Sequence, residues 1–415
     1  MSNVQELNRC LCCNGKKLVP YLDLGVQPLA NNYHNGESQE KYPLGVQVCE
    51  TCFHNQLTHK VDNHLMFDEY IYVSGTSETL NRYFRGFTQA VMMGWKGKKP
   101  PRVLEIACND GTLLEMFQQR GCKCVGVEPA KNLANLCREK DLDVLCNYWG
   151  KATADDLRHV GDQFDIVIAV NVLPHVPNPL EFMEACKSVL DPAAVKLGGG
   201  IYVQTSQCNM FQNGEFDAIY HEHHSYFTVS SFGTLAYGAC LEIKEASKVP
   251  IHSMSFLFKL GPMTGNGHCD ALYDLLEEEN AGGWHTVQQY HNWADGVEII
   301  KQQFNTMLDS FNSKGWKTIG YGASAKCNTA LNYFGRGLDY IVDDNHRKWG
   351  LYTPGTNIRI VSPGFLVSEV GEIALVMTSW NFKDEIIERV KALRPYGTDY
   401  ALSYIPEVKL ECLYD

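Results

Sequence analysis

Three groups of residues in this chain have the types and spacing that chemistry requires. Cys10/Cys13 and Cys49/Cys52 are two Cys-x-x-Cys pairs within the first 52 residues. Sixteen cysteines in 415 positions would give roughly 0.6 such pairs by chance, so two close together carry information. Four soft ligands on two tight turns suit tetrahedral zinc. The turn residues Asn14-Gly15 and Phe53-His54-Asn55 would let backbone N–H groups face thiolate sulfur. A redox pair, or Cys12 or His54 as a ligand, are the alternatives. Four protein ligands close such a site, so this zinc is expected to be structural.

The second group is Tyr220-His-Glu-His-His-Ser-Tyr226, too polar for a core and too aromatic for a plain surface loop. Neutral imidazole with a pKa of about 6.5 is a competent base, and Glu222 could orient or tune it. A second metal site and a satisfied polar network are the competing readings. The third group comprises strand ends. Glu105-Ile-Ala-Cys-Asn-Asp-Gly111 sits where a first strand turns into a helix and small residues let a ligand approach. Without Gly-x-Gly-x-x-Gly spacing there is no pyrophosphate cradle, and Glu105 and Asp110 favour a ligand with a cationic or amino-acid end. The turn contributes Ala107, Asn109 and Gly111 as well. Glu128 ends the next strand, placed to accept from two ribose hydroxyls or else a bland strand end. Asn171, after the fourth strand, begins Asn171-Val-Leu-Pro-His175. Thr318-Ile-Gly-Tyr-Gly-Ala-Ser-Ala-Lys326 is a Gly-rich turn with a lysine in the following helix, suited to phosphate or else a tight structural turn. It is not a Walker loop.

The elements that must position these groups alternate. A helix is predicted over 78–94. Short apolar runs at Val103–Ala107, Lys123–Val127, Val144–Cys146, Asp165–Val170 and Ile201–Gln204 are separated by segments with helical spacing, which predicts a doubly wound parallel sheet. Leu241–Ser247 and Ser253–Leu260 read as a closing antiparallel pair and Gly261–His268 as a linker. One or two helices over 269–313 lead to a second α/β unit, with strands at Lys317–Tyr321, Asp339–Val342 and Ile373–Thr378 and helices at Ala325–Tyr333 and Phe382–Leu393. The expected architecture is α/β: a zinc-binding domain (1–68), a central Rossmann-like domain (69–262) and a C-terminal helical and α/β domain (263–415).

Composition narrows the function. A hydrophobic fraction of 45% and a charged fraction of 20% are those of a globular protein. No apolar run reaches membrane-spanning length and no secretory signal opens the chain, so a cytoplasmic location is expected. A net charge of −12 disfavours nucleic acid as a partner. Most remaining cysteines, Cys146 and Cys240 among them, read as core filler.

In this order, the motifs resemble the sugar C-methyltransferases that act on nucleotide-linked keto-deoxysugars. The resemblance covers nearly the whole chain. It rests on the two knuckles, Asp23-Leu-Gly-Val-Gln-Pro-Leu-Ala-Asn31, the Glu105–Gly111 turn, Asn171–His175, Glu215-Phe-Asp-Ala-Ile-Tyr-His-Glu-His223, Gly320–Lys326, Val342–Asn345, Tyr352–Gly355 and Trp380-Asn381. It implies structural zinc on Cys10, Cys13, Cys49 and Cys52. It implies S-adenosylmethionine at Glu105, Ala107, Asn109, Asp110, Gly111, Glu128 and Asn171. It implies a nucleotide sugar at Asn171, His175, Tyr220, Lys326, Asn328, Trp380 and Asn381. Tyr220, Glu222 and His223 would line the active site, with His223 the base, Tyr220 its relay, and His175 or Tyr220 the donor to the substrate oxyanion. Departures fall at Gln204-Thr-Ser206, where the family usually has Glu-Val-Pro, at Ser253-Met-Ser255, in extra residues before Ile201, and at His224. Methyl transfer to oxygen or nitrogen and an NAD-dependent oxidoreductase are the other activities considered. The nucleotide, the sugar, the ring carbon and the oligomeric state, a monomer included, stay open.

Overall fold

The structure, a computed structural model, describes residues 3–161, 163–251, 253–265, 267–395 and 397–414. Near the N-terminus β1 (Val4–Glu6) pairs with β5 (His59–Val61). Beside them β2 (Leu18–Gln27), β3 (Tyr42–Cys49) and β4 (Asn55–Leu57) form an antiparallel sheet. Its fourth strand, β11 (Ser225–Tyr226), arrives from more than 160 residues further along. The zinc-binding unit is thus completed by the segment that carries Tyr220 to His224.

After the short α1 (His64–Phe67), α2 occupies Glu78–Gly94. Ser77 caps it by accepting from Leu80 N, and Leu80, Phe84, Phe87 and Val91 recur on one face and are buried, as an amphipathic helix requires. The central sheet runs β12 (Leu241–Val249), β13 (Ser255–Pro262), β10 (Gly200–Thr205), β9 (Ile166–Val170), β6 (Arg102–Ile106), β7 (Lys123–Val127), β8 (Val144–Leu145). β6 to β10 are parallel, while β13 is antiparallel to β10 and β12. Between them lie α3 (Thr112–Gln118), α4 (Lys131–Glu139), α5 (Lys151–His159), α6 (Pro179–Val189) and, before β12, α7 (Val229–Gly238). This is a doubly wound, Rossmann-like sheet. Its strand order reverses between β6 and β9, so ligands are expected at the carboxyl ends of those strands.

The linker is shorter than the sequence suggests. Gly261 and Pro262 belong to β13, where Gly261 pairs with Glu242; Asn266 lies outside the described residues. The following helical stretch is two helices, α8 (Asp270–Ala281) and α9 (Val287–Ser313), broken at Gly282-Gly283, where Gly283 has φ +77°. The C-terminal sheet runs β16 (Ile360–Val361), β15 (Tyr340–Val342), β14 (Lys317–Tyr321), β17 (Ile373–Val376), β18 (Tyr400–Ser403), β19 (Lys409–Cys412), parallel except for β19. α10 (Ala325–Phe334), α11 (Phe365–Ser368) and α12 (Lys383–Leu393) flank it.

The cores cross the sequence divisions. Leu22, Val46 and Val48 of the first sheet share one apolar cluster with Trp293, Val297 and Phe304 of α9 and Leu331 of α10. Cys10, Cys49 and Cys52 share another with Phe227 and Phe232 of the central unit. Two cysteines depart from expectation: Cys146 and Cys240 are exposed. Cys146 follows the two-residue edge strand β8, and Cys240 occupies a left-handed turn (φ 54°) between α7 and β12, so neither reaches a core.

Candidate functional site

The four knuckle thiols converge. Their Sγ atoms all lie within 4.8 Å of one another, with Cys10 to Cys52 at 3.5 Å and Cys13 to Cys49 at 3.6 Å. Zn–S bonds of about 2.3 Å in a tetrahedron place sulfurs about 3.8 Å apart, so the cluster fits zinc. Neither Cys12 nor His54 is in the set, since His54 Nε2 instead meets Ser225 Oγ at 3.1 Å. Backbone N–H groups facing sulfur include that of Cys13 on Cys10 and those of Thr51 and Cys52 on Cys49. They lie inside the pairs, not in the turns that follow; there Asn14 and Phe53 take left-handed φ of 58° and 54° to reverse the chain.

The Tyr220–His224 segment is a tight turn, closed by His223 N donating to Tyr220 O at 2.9 Å. Such a turn brings its first and fourth side chains together and sends the third elsewhere. The Tyr220 hydroxyl meets His223 Nε2 at 2.9 Å, with ring centroids 4.0 Å apart. His223 Nδ1 lies 2.7 Å from the Ala218 carbonyl. A carbonyl can only accept, so the proton sits on Nδ1 and Nε2 offers its lone pair to the phenol. Burial pulls the His223 pKa well below its ordinary value, with His175 adding to the effect. The ring is therefore neutral at neutral pH. Burial also pushes the Tyr220 phenol well above its usual value.

Glu222 corrects the sequence reading. Its carboxylate does not touch the His223 ring but accepts from Asn31 Nδ2 at 2.6 Å and the Tyr70 hydroxyl at 3.2 Å, because it occupies the turn's third position. Burial raises it to about 7. Its main-chain carbonyl meets His175 Nδ1 at 2.8 Å. The backbone of Asn171 also bonds the His175 ring, and burial lowers that pKa to about 4. A neutral imidazole so committed to carbonyls braces the turn and lacks a free donor for a substrate oxyanion. The other histidines face the N-terminal unit, His221 toward the Tyr42 carbonyl and His224 toward Asn63 Oδ1 at 2.9 Å. The rings diverge and no metal set forms at this turn; among the described residues the cysteine cluster is the metal-competent group.

At the switch point the Glu105–Gly111 turn takes left-handed φ at Ala107 (54°), Asn109 (54°) and Gly111 (75°). A side chain at Gly111 would also collide with Leu142. Glu105 and Asp110 are buried, and Glu105 Oε2 and Asp110 Oδ1 have no donor. Asp110 Oδ2 already accepts from Lys140 Nζ at 3.3 Å and burial pushes Glu105 well above the usual carboxylate range, so Asp110 Oδ1 is the acceptor left to meet an ammonium group on a ligand. Glu128 accepts from Asn109 N and Ala130 N, both at 2.9 Å, one on each oxygen, leaving a lone pair on each for hydroxyls. Desolvation raises it to about 7. The segment ahead of α2 lies over this turn. Asn109 Oδ1 accepts from Ser74 N and Asn109 Nδ2 donates to Tyr72 O, while Tyr70 reaches Glu222. Asn171 is in left-handed conformation (φ 53°), its Oδ1 accepting from Gln204 Nε2 at 3.4 Å. Gln204 accepts in turn from the Tyr83 hydroxyl at 2.5 Å.

On the C-terminal side Lys326 Nζ pairs with Glu215 at 3.5 Å and lies 4.4 Å from the Trp380 ring centre. Trp380 Nε1 donates to Asp217 at 2.8 Å, and Tyr404 donates to the same oxygen. Lys326 and Trp380 therefore join the segment that leads into the Tyr220–His224 turn. Asn328 is 1% exposed and donates to the Ala30 carbonyl, next to the residue that holds Glu222; Asn381 is exposed in the 3-10 turn at 380–382. Gly322 (φ 99°) is where a side chain would overlap Ser379 Oγ. Gln207, Tyr70, the Ala218 carbonyl and Asn31 as the Glu222 partner are site groups that the sequence did not reveal. Asn31 ends the Asp23–Asn31 motif, but nothing in its type marks its target.

Three family models match this chain in order: a putative zinc binding domain over residues 10–67, a methyltransferase domain over 78–244 and a C-methyltransferase C-terminal domain over 253–406. The C-methyltransferase NovU of Streptomyces niveus is 25% identical over 416 residues, 98% of this chain and 97% of that protein. The three matches, in this order, have the organisation of a three-domain, zinc-binding C-methyltransferase. The protein is an S-adenosylmethionine-dependent C-methyltransferase whose zinc-binding domain is built on four cysteines. A ubiquinone biosynthesis O-methyltransferase of Aeromonas salmonicida is 25% identical to it over 173 residues, 39% of this chain and 71% of that protein. The magnesium protoporphyrin IX methyltransferase of Synechocystis PCC 6803 aligns over 44% of this chain and 79% of its own, at 11% identity and a TM-score of 0.32.

The methyltransferase's buried histidines make its stability depend on pH. Burial holds His224 at about 3, His175 and His221 at about 4, and His223 well below its ordinary value. Below an unfolded pKa of about 6.5 the unfolded chain takes up protons that these rings refuse, so their contribution is present above that pH and lost as pH falls. Glu128 and Glu222, raised to about 7, act oppositely and favour the fold on acidification from 7 toward 4.5. Burial raises Glu105 and Asp217 as well and lowers His54 to about 3, so the net slope between pH 6.5 and 5 is a balance of the two sets, and a single ring is read by difference at constant free zinc. His224→Gln should remove from that slope up to about 1.4 kcal/mol per pH unit. An unchanged slope in thermal denaturation series would contradict the buried neutral ring.

Proposed function

We propose that this enzyme methylates a ring carbon next to the ketone of a nucleotide-linked keto-deoxysugar through an enolate. The observation that carries the reading is the Tyr220–His223 pair, buried, with Nδ1 held by a carbonyl and Nε2 facing the phenol. A C–H bond beside a carbonyl loses its proton only to a positioned base while a donor stabilises the developing oxyanion. The Tyr220 oxygen takes the substrate proton as its own passes to His223 Nε2, so the charge is carried by the imidazole and no free phenolate forms. The Asn171 N–H2 group is the donor assigned to the substrate oxygen, since Gln204 holds the other end of that carboxamide through Oδ1. S-adenosylmethionine supplies an electrophilic methyl carbon when bound. Glu105, Ala107, Asn109, Asp110 and Gly111 would surround its amino-acid end, and Glu128 would accept from its ribose hydroxyls.

Lys326 beside the Trp380 ring supports nucleotide binding, as a cation and an aromatic face suited to phosphate and base, with Asn381 at the exposed rim. Asn328 is a structural tie in this reading. The full-length coverage of a C-methyltransferase relative favours carbon over oxygen or nitrogen as acceptor. Incubation with a 4-keto nucleotide sugar and carbon-13 methyl-labelled donor should give a product whose labelled methyl couples to a ring carbon. A labelled methyl on oxygen or nitrogen would overturn the reading.

A further inference from the structure

Behind Asn171 runs a short chain of polar groups that starts on a different element. Tyr83 of α2 stacks on Phe87, ring centroids 6.2 Å apart, and its hydroxyl reaches the Gln204 carboxamide at 2.5 Å. Gln204 is fully buried near the end of β10. It holds Asn171 twice: its main-chain carbonyl accepts from Asn171 N at 2.9 Å, and its carboxamide meets the Asn171 side chain at 3.4 Å. Asn171 itself takes a left-handed φ of 53° at the carboxyl end of β9. Two elements, α2 and β10, therefore fix where its side chain stands.

The direction of the chain is decided at its phenol end. Burial pushes the Tyr83 hydroxyl above its usual value, so it keeps its proton and has to place it on an acceptor. A separation of 2.5 Å suits an O–H···O bond and is too short for an amide N–H, whose contacts centre near about 2.9 Å. Gln204 Oε1 therefore faces the phenol, and Nε2 is turned to Asn171. An N–H2 group only donates, so Asn171 offers it Oδ1 and presents its own N–H2 on the other side. That group has no acceptor among the described residues, and its residue is half-buried at the edge where the strand order reverses.

We propose that Tyr83 and Gln204 are positioning residues for Asn171: they fix its carboxamide so that the site meets the sugar with a donor, and so commit it to a substrate oxygen that gains negative charge, the ketone that becomes an enolate. The inference rests on the reading above in which Asn171 faces that ketone. A carboxamide free to turn would also present Oδ1, which repels a developing oxyanion. The buried phenol removes that choice without placing a charge in the site.

Exchanging the carboxamide of Gln204 for a carboxyl tests this, because protonation then sets the direction of the chain. In Gln204→Glu a carboxylate accepts from both Tyr83 and Asn171 and so turns Oδ1 toward the sugar; once protonated, it donates to Oδ1 and restores the wild-type order. Burial raises the carboxyls of Glu128 and Glu222 to about 7 and should bring this one into the same range. The full-length, zinc-loaded variant should have a kcat roughly 10²-fold below wild type at about pH 9, with KM for the methyl donor moved less than about 3-fold. Relative to wild type at each pH, kcat should recover as the pH falls toward about 6, a rescue that a merely structural lesion would not show. At the higher pH the variant should also lose roughly 10-fold in affinity for a 4-keto nucleotide sugar relative to its reduced 4-hydroxy counterpart, since only the hydroxyl has a proton to give Oδ1. Tyr83→Phe and Gln204→Leu, which free the Asn171 carboxamide, should lower kcat by roughly 3-fold or more without any new titration. A Gln204→Glu profile parallel to wild type, or wild-type kcat in Tyr83→Phe and Gln204→Leu should the glutamate variant not fold, overturns the positioning role. Undiminished turnover in Asn171→Ala overturns instead the placement of Asn171 at the ketone, and the inference with it.

Discussion

Replacing His223 by alanine should lower turnover by roughly 10²- to 10⁴-fold, the usual worth of a positioned acid–base group. The loss should fall on kcat. The Nε2 atom faces the Tyr220 hydroxyl at 2.9 Å and, on the proposed path, acts on a proton in flight, whereas the turns at the ends of β6 and β7 proposed for the methyl donor are built from other residues. Affinities for S-adenosylmethionine and for a nucleoside diphosphate, measured by calorimetry, should therefore stay within a few-fold of wild type. Tyr220→Phe should approach the same deficit, because the proposed path passes the proton through the phenol to the imidazole. Glu222→Gln should be milder in kcat. Its carboxyl meets Asn31 and Tyr70 and not the ring, so it acts through the segment that covers the donor turn. Wild-type turnover in His223→Ala would move the base elsewhere.

Replacing Cys13 or Cys49 by serine should remove zinc and, with it, most of the activity, although neither residue is near the donor turn. Structural zinc contributes on the order of 10 kcal/mol to the folding of small units, and this one has little core of its own. The second knuckle is also the β3–β4 turn: Cys49 N bonds the His54 carbonyl, and β4 carries β11 through the pairs Gln56–Ser225 and Asn55–Tyr226. Leu57 N donates to the His224 carbonyl at 3.1 Å, and His54 meets Ser225. The zinc thus anchors the strand that follows the Tyr220–His224 turn. Metal analysis should find the variant depleted in zinc, and assays should find turnover reduced by roughly 10²-fold or more, with donor affinity far less affected. A zinc-free variant that turns over normally would show that the two units are independent.

Local features of this fold were legible in the sequence, and non-local ones were not. The helix expected over 78–94 is α2, which Ser77 caps and whose Leu80, Phe84, Phe87 and Val91 share the buried face. The alternation of apolar runs made the central parallel sheet legible, and β14, β15 and β17 of the C-terminal one, because those strands announce themselves within about ten residues; β16, β18 and β19 were not expected. Cys10, Cys13, Cys49 and Cys52 were legible because zinc ligation is itself a spacing rule. The pairing of β11 with β4 was not: two strands of two and three residues carry no periodicity, and their partnership spans more than 160 residues of chain. Side-chain direction in the catalytic turn was equally hidden. Tyr220-His-Glu-His names the reactive groups but not the turn geometry, and so Glu222 was assigned to a ring it does not touch. His223 drew its role from family resemblance, and its tautomer came only with the Ala218 carbonyl. Gln207 had no signal at all, being one of several polar residues in a loop.

Removal of a proton from carbon by the Tyr220–His223 pair is the central step of the proposed mechanism, and it can be followed without any methyl transfer. A 4-keto nucleotide sugar incubated with the enzyme in heavy water should gain deuterium beside the ketone, detected by proton NMR of the recovered sugar. The wild type is expected to exchange that position, and His223→Ala to leave it protonated while still binding the sugar. Exchange by His223→Ala at the wild-type rate would contradict the assignment of that pair as the base.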